Sequence, residues 1–312
     1  MQIIDGNSLG WAHHSATKLN YAGFQTQSIF GMAKALREIR TSYPGERIFV
    51  LWDGRAKHRF AELETYKGDR EKRREEDPEA AKDHAEYKRA VPIIKKAFKL
   101  MGVPQLESPD HEADDIAGLL CKMGGKKRLV TGDTDWLQLV SELVDWYDPR
   151  NGGKHISMRT FHEATGYFSP GEHIQGKALI GDTADSIPGV DGVGDTTAAG
   201  FLAKWRSVDA FFAAVDSGAH VPAQRKSKVA KTLHPEQVIA SPEGRALFAR
   251  NMRLMDLRTP HSDLQAKMVI TPGAPNFDGL QTLLGRLGMV SILRDFNTWV
   301  YPFGLMPGLR AA

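Results

Sequence analysis

Three short apolar runs each end in an aspartate. Met1-Gln2-Ile3-Ile4 leads into Asp5, Ile48-Phe49-Val50-Leu51-Trp52 into Asp53, and Arg128-Leu129-Val130-Thr131-Gly132 into Asp133. Runs of this length, separated by helical patterns, predict parallel strands buried on both faces. Such sheets take their ligands just beyond the carboxyl ends of the strands, so the three acids are expected along one edge. Between the first two strands, Ile29, Met32, Ala33, Leu36 and Ile39 recur at helical spacing and predict a crossover helix over 26–43. A helix over 112–123 turns Ile116, Leu119 and Leu120 inward, a short one follows over 136–140, and a further strand is expected at 144–147.

From about residue 158 the pattern becomes helical. Ser169-Pro170 and Ser241-Pro242 each read as an N-cap with proline at the first helical position, and Thr271 to Pro275 reads as a loop before a last helical pair. Residues 55–99 differ from all of this, with 14 Lys or Arg against 10 Asp or Glu and few apolar residues before Tyr87. No core element is written that way. The expected organisation is an α/β region over 1–180 carrying the charged insertion, a helical region over 181–296, and a tail over 297–312.

Composition adds a distribution of charge. The 312 residues carry a net charge of only +3, with 41% hydrophobic and 25% charged. Nine acids stand at strand ends and helix starts: Asp5, Asp53, Glu112, Asp114, Asp115, Asp133, Asp135, Asp182 and Asp185. Setting them aside leaves 29 acidic against 41 basic residues, a basic body around an acidic hole. That suits a polyanion gripped by Lys and Arg, although ordinary solvated surface charge gives the same count. The single cysteine, Cys121, excludes an intrachain disulfide and lies in an apolar helical pattern, which points to a structural thiol. No apolar stretch approaches a membrane span, and the opening on a core strand predicts no signal peptide and a cytoplasmic protein.

Gathered carboxylates repel one another unless cations sit between them, and oxygen-only ligation points to Mg²⁺ or Mn²⁺ rather than zinc. Each acidic motif also has an ordinary reading. Glu112-Ala113-Asp114-Asp115 would favour a helix dipole, with Asp115 directed about 100° away from Asp114. Gly132-Asp133-Thr134-Asp135 would suit a cap, and Asp182 with Asp185 would suit a solvated pair. Pro188 to Gly194, followed by Asp195-Thr196-Thr197, has the form of a hairpin whose glycines and following helix start cradle a phosphate, or of a simple turn. Tyr66-Lys67-Gly68-Asp69-Arg70 sets an aromatic beside cations, a combination that serves base stacking and phosphate contact, or a solvated helix face.

In this order, Ile4-Asp5-Gly6-Asn7, Trp52-Asp53, Tyr66 to Arg70, Glu112 to Asp115, Thr131 to Asp135, and Gly181-Asp182 through Gly194 closely resemble the 5′ nuclease superfamily. That superfamily includes flap endonucleases, bacteriophage 5′-to-3′ exonucleases and the nuclease domain of bacterial DNA polymerase I. The resemblance runs from about residue 1 to 296. It implies a PIN-like α/β fold with a mostly parallel sheet, a helical arch over 55–99, and a helix-three-turn-helix DNA clamp around 186–205.

It further implies two Mg²⁺ ions, with Mn²⁺ as a substitute. Asp5, Asp53, Glu112 and Asp114 would serve mainly the first and Asp133, Asp135 and Asp182 mainly the second, with Asp115 and Asp185 beside them. Lys67 and Arg70 match arch-base cations that act on the scissile phosphate. Tyr66, Lys177, Gly192, Gly194, Thr196 and Thr197 would meet DNA, and K⁺ would sit on the carbonyls of Val190 and Val193. Thr196 and Thr197 stand where many relatives are basic, which makes that grip weaker or hydroxyl-based.

The resemblance implies a monomeric hydrolase acting in replication or repair on DNA 5′ ends, 5′ flaps and RNA–DNA primer junctions, in a bacterial cytoplasm or a phage-infected cell. Residues 297–312, with Trp299, Tyr301 and Phe303, have no counterpart in it. They suit either a replication-protein docking segment or packing on the parent domain. The rival readings are a PIN-type ribonuclease using the same acids and a non-catalytic nucleic-acid-binding protein on the same fold.

Overall fold

The computed structural model describes residues 1–150, 152–224 and 233–304. The strands are β1 Gln2–Asp5, a hairpin of β2 Asn20–Tyr21 and β3 Phe24–Gln25, β4 Ile48–Trp52, β5 Gln105–Glu107, β6 Lys127–Val130, β7 Val144–Asp148 and β8 Lys154–Ile156. A second small hairpin, β9 Gly181–Asp182 and β10 Ile187–Pro188, and a late strand β11 Val269–Thr271 complete the set. Seven of them form one sheet in the order β11-β5-β4-β1-β6-β7-β8. The five inner strands are parallel, and β11 and β8 close the edges antiparallel. β1 lies between β4 and β6, so the three expected strands are neighbours, with Asp5 opposite Leu51 and Ile4 opposite Val130.

Helices α1 Gly6–Ala16, α2 Gln27–Ser42, α5 Pro78–Leu100 and α6 Ala113–Cys121 cover the sheet. α2 forms where the periodicity predicts it, and Ile29, Met32, Ala33, Leu36 and Ile39 are all buried. α6 likewise buries Ile116 and Leu120, while Leu119 is only partly covered. The charged insertion folds as α3 Lys57–Glu62, α4 Gly68–Glu76 and α5, with Asp77 capping α5 through the amides of Glu79 and Ala80.

The remaining helices are α7 Phe161–Thr165, α8 Pro170–Ile180, α9 Asp195–Trp205, α10 Val208–Asp216, α11 Pro235–Ala240, α12 Pro242–Met255, α13 Leu264–Lys267, α14 Phe277–Arg286, α15 Val290–Leu293 and α16 Phe296–Gly304. α8 and α12 start as the sequence predicts: Ser169 accepts from the Glu172 amide and Ser241 from the Gly244 amide, each with proline at the first helical turn.

The later residues pack against the sheet. β11, unexpected in a segment read as helix and loop, pairs with β5 through Ile270 opposite Leu106. One core joins Ile3, Ile116 and Leu129 to Leu202, Phe211 and Phe248, and a second joins Ile4, Leu36 and Phe98 to Leu284, Val300 and Phe303. The described part of the tail therefore packs on its own domain, where Arg37 Nε donates to the Trp299 carbonyl at 3.0 Å. Residues 305–312, the rest of the segment considered for partner docking, lie outside the described residues. Among the described residues no helix is long and apolar enough to cross a membrane.

Candidate metal centre

The carboxyl ends of β1, β4 and β6 meet at one edge and bring their aspartates together. Asp5 caps α1: one of its oxygens accepts from the Ser8 amide at 2.9 Å and the other from Thr131 Oγ1 at 2.8 Å. Burial, together with the charges of Asp53 and Asp133, pushes its pKa up to about 7. Asp53 accepts from Asn7 Nδ2 at 2.7 Å and from the Ala113 amide at 2.9 Å. Its carboxyl is raised by burial and by the charge of Glu112. Gly54 follows where the chain passes so near Ser108 that a Cβ would lie 1.8 Å from the Ser108 carbonyl oxygen, so only glycine carries Asp53 into place.

Two further acids, both half-buried, complete this row. Asp114, in the first turn of α6, accepts from Trp136 Nε1 at 2.7 Å. Burial and the charges of Asp133, Glu112 and Asp53 hold it well above the ordinary aspartate range. Asp133 caps a short 3-10 helix through the Asp135 amide at 2.8 Å, and its pKa is also raised, chiefly by burial. Four carboxyls at one sheet edge, hydrogen-bonded by neutral donors and pushed towards protonation, offer an all-oxygen donor set of the kind that suits a hard divalent cation.

Glu112 and Asp115 are treated differently. Arg59 of α3 is buried against both, donating to Glu112 Oε2 at 2.9 Å and gripping Asp115 with two bonds of 2.9 and 2.7 Å. Burial would raise both acids, but Lys67 and Arg59 at Glu112, and Arg59 at Asp115, outweigh it and lower them. Asp115 also accepts from the Glu112 amide in a capping box. Both of its oxygens are thus committed to Arg59, which removes Asp115 from the metal-ligand set read from the sequence and makes it the anchor of α3.

On the insertion side, Asp114, Asp135, Asp182 and Asp185 line one cavity with Arg59 and Tyr66. Asp182 caps the turn after β9 through the amides of Ala184 and Asp185. Lys67, in the left-handed conformation at φ 59°, donates its amide to the Asp185 carbonyl at 2.9 Å and pairs through Nζ with Glu112. Arg70 Nε donates to the Ala184 carbonyl at 2.9 Å, and its guanidinium pairs with Asp185. Lys177 of α8 pairs with Asp135.

The expectation that Tyr66 stacks on a base is corrected. Its ring is buried at 3% exposure, and its hydroxyl donates to Glu112 at 2.9 Å. Lys177 lies within the acidic centre, facing Asp135. Two side chains that sequence reasoning passed over also belong here: Arg59, which neutralises Glu112 and Asp115, and Trp136, which orients Asp114.

Beyond the cavity, α8, the β9–β10 hairpin and α9 form a helix–hairpin–helix unit. Gly181, at φ 80°, and Gly189 sit where a Cβ would strike backbone, while a Cβ on Gly192 or Gly194 would meet open space. Gly194 caps α9, and the side chains of Val190 and Val193 are buried with the Val193 amide donating to the Val190 carbonyl at 3.0 Å. Thr196 is exposed on the first turn of α9 and Thr197 is half-buried.

Residues 1–166 match the 5′-3′ exonuclease N-terminal resolvase-like domain, and residues 168–247 match the 5′-3′ exonuclease C-terminal SAM fold. The 5′-3′ exonuclease of Aquifex aeolicus is 31% identical over 215 residues, covering 67% of this chain and 71% of its own. The thermostable DNA polymerase I of Thermus thermophilus is 29% identical over 318 residues, covering 99% of this chain and 34% of that protein. The chain thus spans about a third of the length of its polymerase relatives.

Among solved structures, the T5 5′-exonuclease with bound zinc superposes with a TM-score of 0.66 at 22% identity, over 97% of this chain and 98% of the other. The catalytic core of Rad2 in complex with DNA does so at 0.55 and 17%, over 92% and 86%. These two likenesses bear on the fold, which they share. The chain belongs to the 5′-3′ exonuclease family.

Proposed function

We propose that this member of the 5′-3′ exonuclease family hydrolyses DNA phosphodiesters at 5′ ends and 5′ flaps, with two divalent ions of the Mg²⁺ or Mn²⁺ kind held by the acids beyond β1, β4 and β6. The observation that carries this reading is the row Asp5, Asp53, Asp114 and Asp133 at one edge of the sheet, with Asp5 buried, Asp114 and Asp133 half-buried and Asp53 open to solvent, whose proton affinities are all raised. Divalent ions bound there would activate a water and stabilise the leaving 3′ oxygen.

The chain's own residues supply the rest. Thr131, Asn7 and Trp136 fix the angles of Asp5, Asp53 and Asp114. Asp135, Asp182 and Asp185 share a cavity with Asp114. Lys67 and Arg70 stand where a phosphate drawn to the acids would pass, and there they offset the negative charge that grows on its oxygens. The left-handed backbone of Lys67 is a conformation non-glycine residues rarely adopt, and it fixes the side chain at the foot of α4.

Duplex DNA would be gripped at the open glycines Gly192 and Gly194 and the N-terminus of α9, where Thr196 and Thr197 offer hydroxyls and backbone carbonyls of Val190 and Val193 offer K⁺ ligands. RNA–DNA primer junctions would be held by the same residues. The setting would be replication or repair by a monomer in the cytoplasm of a bacterium or a phage-infected cell.

Labelled 5′-flap duplex and single-stranded RNA, each incubated with Mg²⁺ or with EDTA, test the reading. Metal-dependent cutting of DNA near the flap junction is expected. Cutting of RNA alone would replace it with the ribonuclease reading, and binding without cutting would leave a nucleic-acid-binding scaffold.

A further inference from the structure

We propose a second divalent-metal site, outside the catalytic edge, formed by His14 of α1 with Asp83 and Glu86 of α5 and suited to a transition ion such as Zn²⁺. One ligand atom from each of the three residues lies within 4.8 Å of the others. Asp83 and Glu86 stand three apart on one face of α5, and His14 faces them from the C-terminal half of α1.

His14 points to a ligand independently of the two acids. Its ring is 1% exposed, yet neither nitrogen has a hydrogen-bond partner, and a loose approach to the Asp83 backbone falls outside bonding geometry. Glu86 Oε2 is buried and unpartnered as well. Buried polar atoms are rarely left so, because each forfeits its hydration without replacement. A metal ion placed among them would satisfy a ring nitrogen and Glu86 Oε2 together. The ring plane is already fixed by Trp11, stacked at 5.5 Å, and Tyr87, tilted at 5.6 Å. Burial also lowers the pKa of the imidazole, keeping it in the neutral form that ligates.

The exposed Lys18 ammonium, 2.9 Å from Asp83 Oδ1, already brings positive charge to the outer side and is free to swing away when a cation enters. One imidazole and two carboxylates favour Zn²⁺, Co²⁺ or Mn²⁺ over Mg²⁺, unlike the all-oxygen catalytic edge. α1 begins at the Asp5 cap and α5 is the long helix of the charged insertion, so an ion here would fasten the insertion to the helix that Asp5 starts.

Co²⁺ binding to the full chain, read by visible absorption in excess Mg²⁺, tests the site. The wild type should show one Co²⁺ with ligand-field bands, displaced by Zn²⁺. His14→Gln should weaken it by about tenfold or more. Glu86→Gln, on the half-exposed face of α5, should do the same without disturbing the core. Asp133→Ala should leave the bands intact. Unchanged binding in Glu86→Gln, loss only in Asp133→Ala, or no bands in the wild type would each overturn the proposal.

Discussion

Asp5, Asp53, Asp114 and Asp133 are hydrogen-bonded by neutral donors and raised towards protonation, with only Asp5 fully buried, whereas Glu112 and Asp115 at the start of α6 are buried against Arg59, with Lys67 also on Glu112, and lowered. The comparison separates two uses of an acid at the sheet edge. A carboxylate matched by a guanidinium holds elements together, here α3 on α6. One left among hydroxyls, amides and other carboxylates is costly to ionise, and a divalent cation bound beside it would offset that cost.

The sharpest way to break the comparison is to remove an acid of the cavity lining. Asp182→Ala is expected to abolish Mg²⁺-dependent flap cleavage while leaving DNA binding by gel shift close to wild type. Wild-type turnover would remove Asp182 from the centre.

On the paired side, Arg59→Met should leave Glu112 and Asp115 uncompensated and cost about 3–5 kcal/mol in chemical denaturation. A neutral result would mean that α3 is anchored by something other than this ion pair.

The raised acids make the opposite prediction. Asp5 in the metal-free protein holds its proton up to about pH 7, against 3.8 as the ordinary value, so the folded state binds more protons than the unfolded one across that window. The cost of ionising it therefore grows as pH rises from about 4 and is complete above 7. Asp5→Asn keeps the α1 cap and should stabilise the metal-free protein above pH 7 by up to roughly 4 kcal/mol, a gain that shrinks towards pH 4. Urea denaturation in EDTA at pH 5 and pH 8 reads it. Equal stabilities of mutant and wild type at pH 8 would contradict the assignment.

Lys67→Ala should lower single-turnover cleavage by about a hundredfold with little change in affinity, because its contact strengthens as charge develops. A loss confined to affinity would make Lys67 a docking residue. Trp136→Phe removes the Nε1 donor to Asp114 and part of a fully buried ring, and should cost more in thermal unfolding than the roughly 1 kcal/mol of the hydrogen bond alone.

The legible and the hidden parts of this molecule differ by how locally they are written. β1, β4 and β6 could be read because continuous apolar runs terminate in acids, and the α2 and α6 stripes and the Ser-Pro helix starts are equally local. β11 could not be read. Only Val269–Thr271 pair, on an edge, with Val269 and Ile270 exposed, and the partner strand lies more than 150 residues earlier. The return of α14 and α16 onto the first half is long-range in the same way.

Within the site, the strand-end acids were legible, but Arg59 was submerged in a run of solvated charges, and nothing beside Tyr66 announces that its ring turns inward. The one local hint was the three-residue spacing of Glu112 and Asp115, which makes a capping box and so ties Asp115 to the helix start.

Asp133→Ala under single-turnover conditions, with a 5′-flap duplex and saturating Mg²⁺, puts the central claim at risk most directly. The account predicts that cleavage disappears while the variant stays folded and still binds the flap. Cleavage within a few-fold of the wild-type rate would contradict the assignment of the unpaired acids to the metal centre.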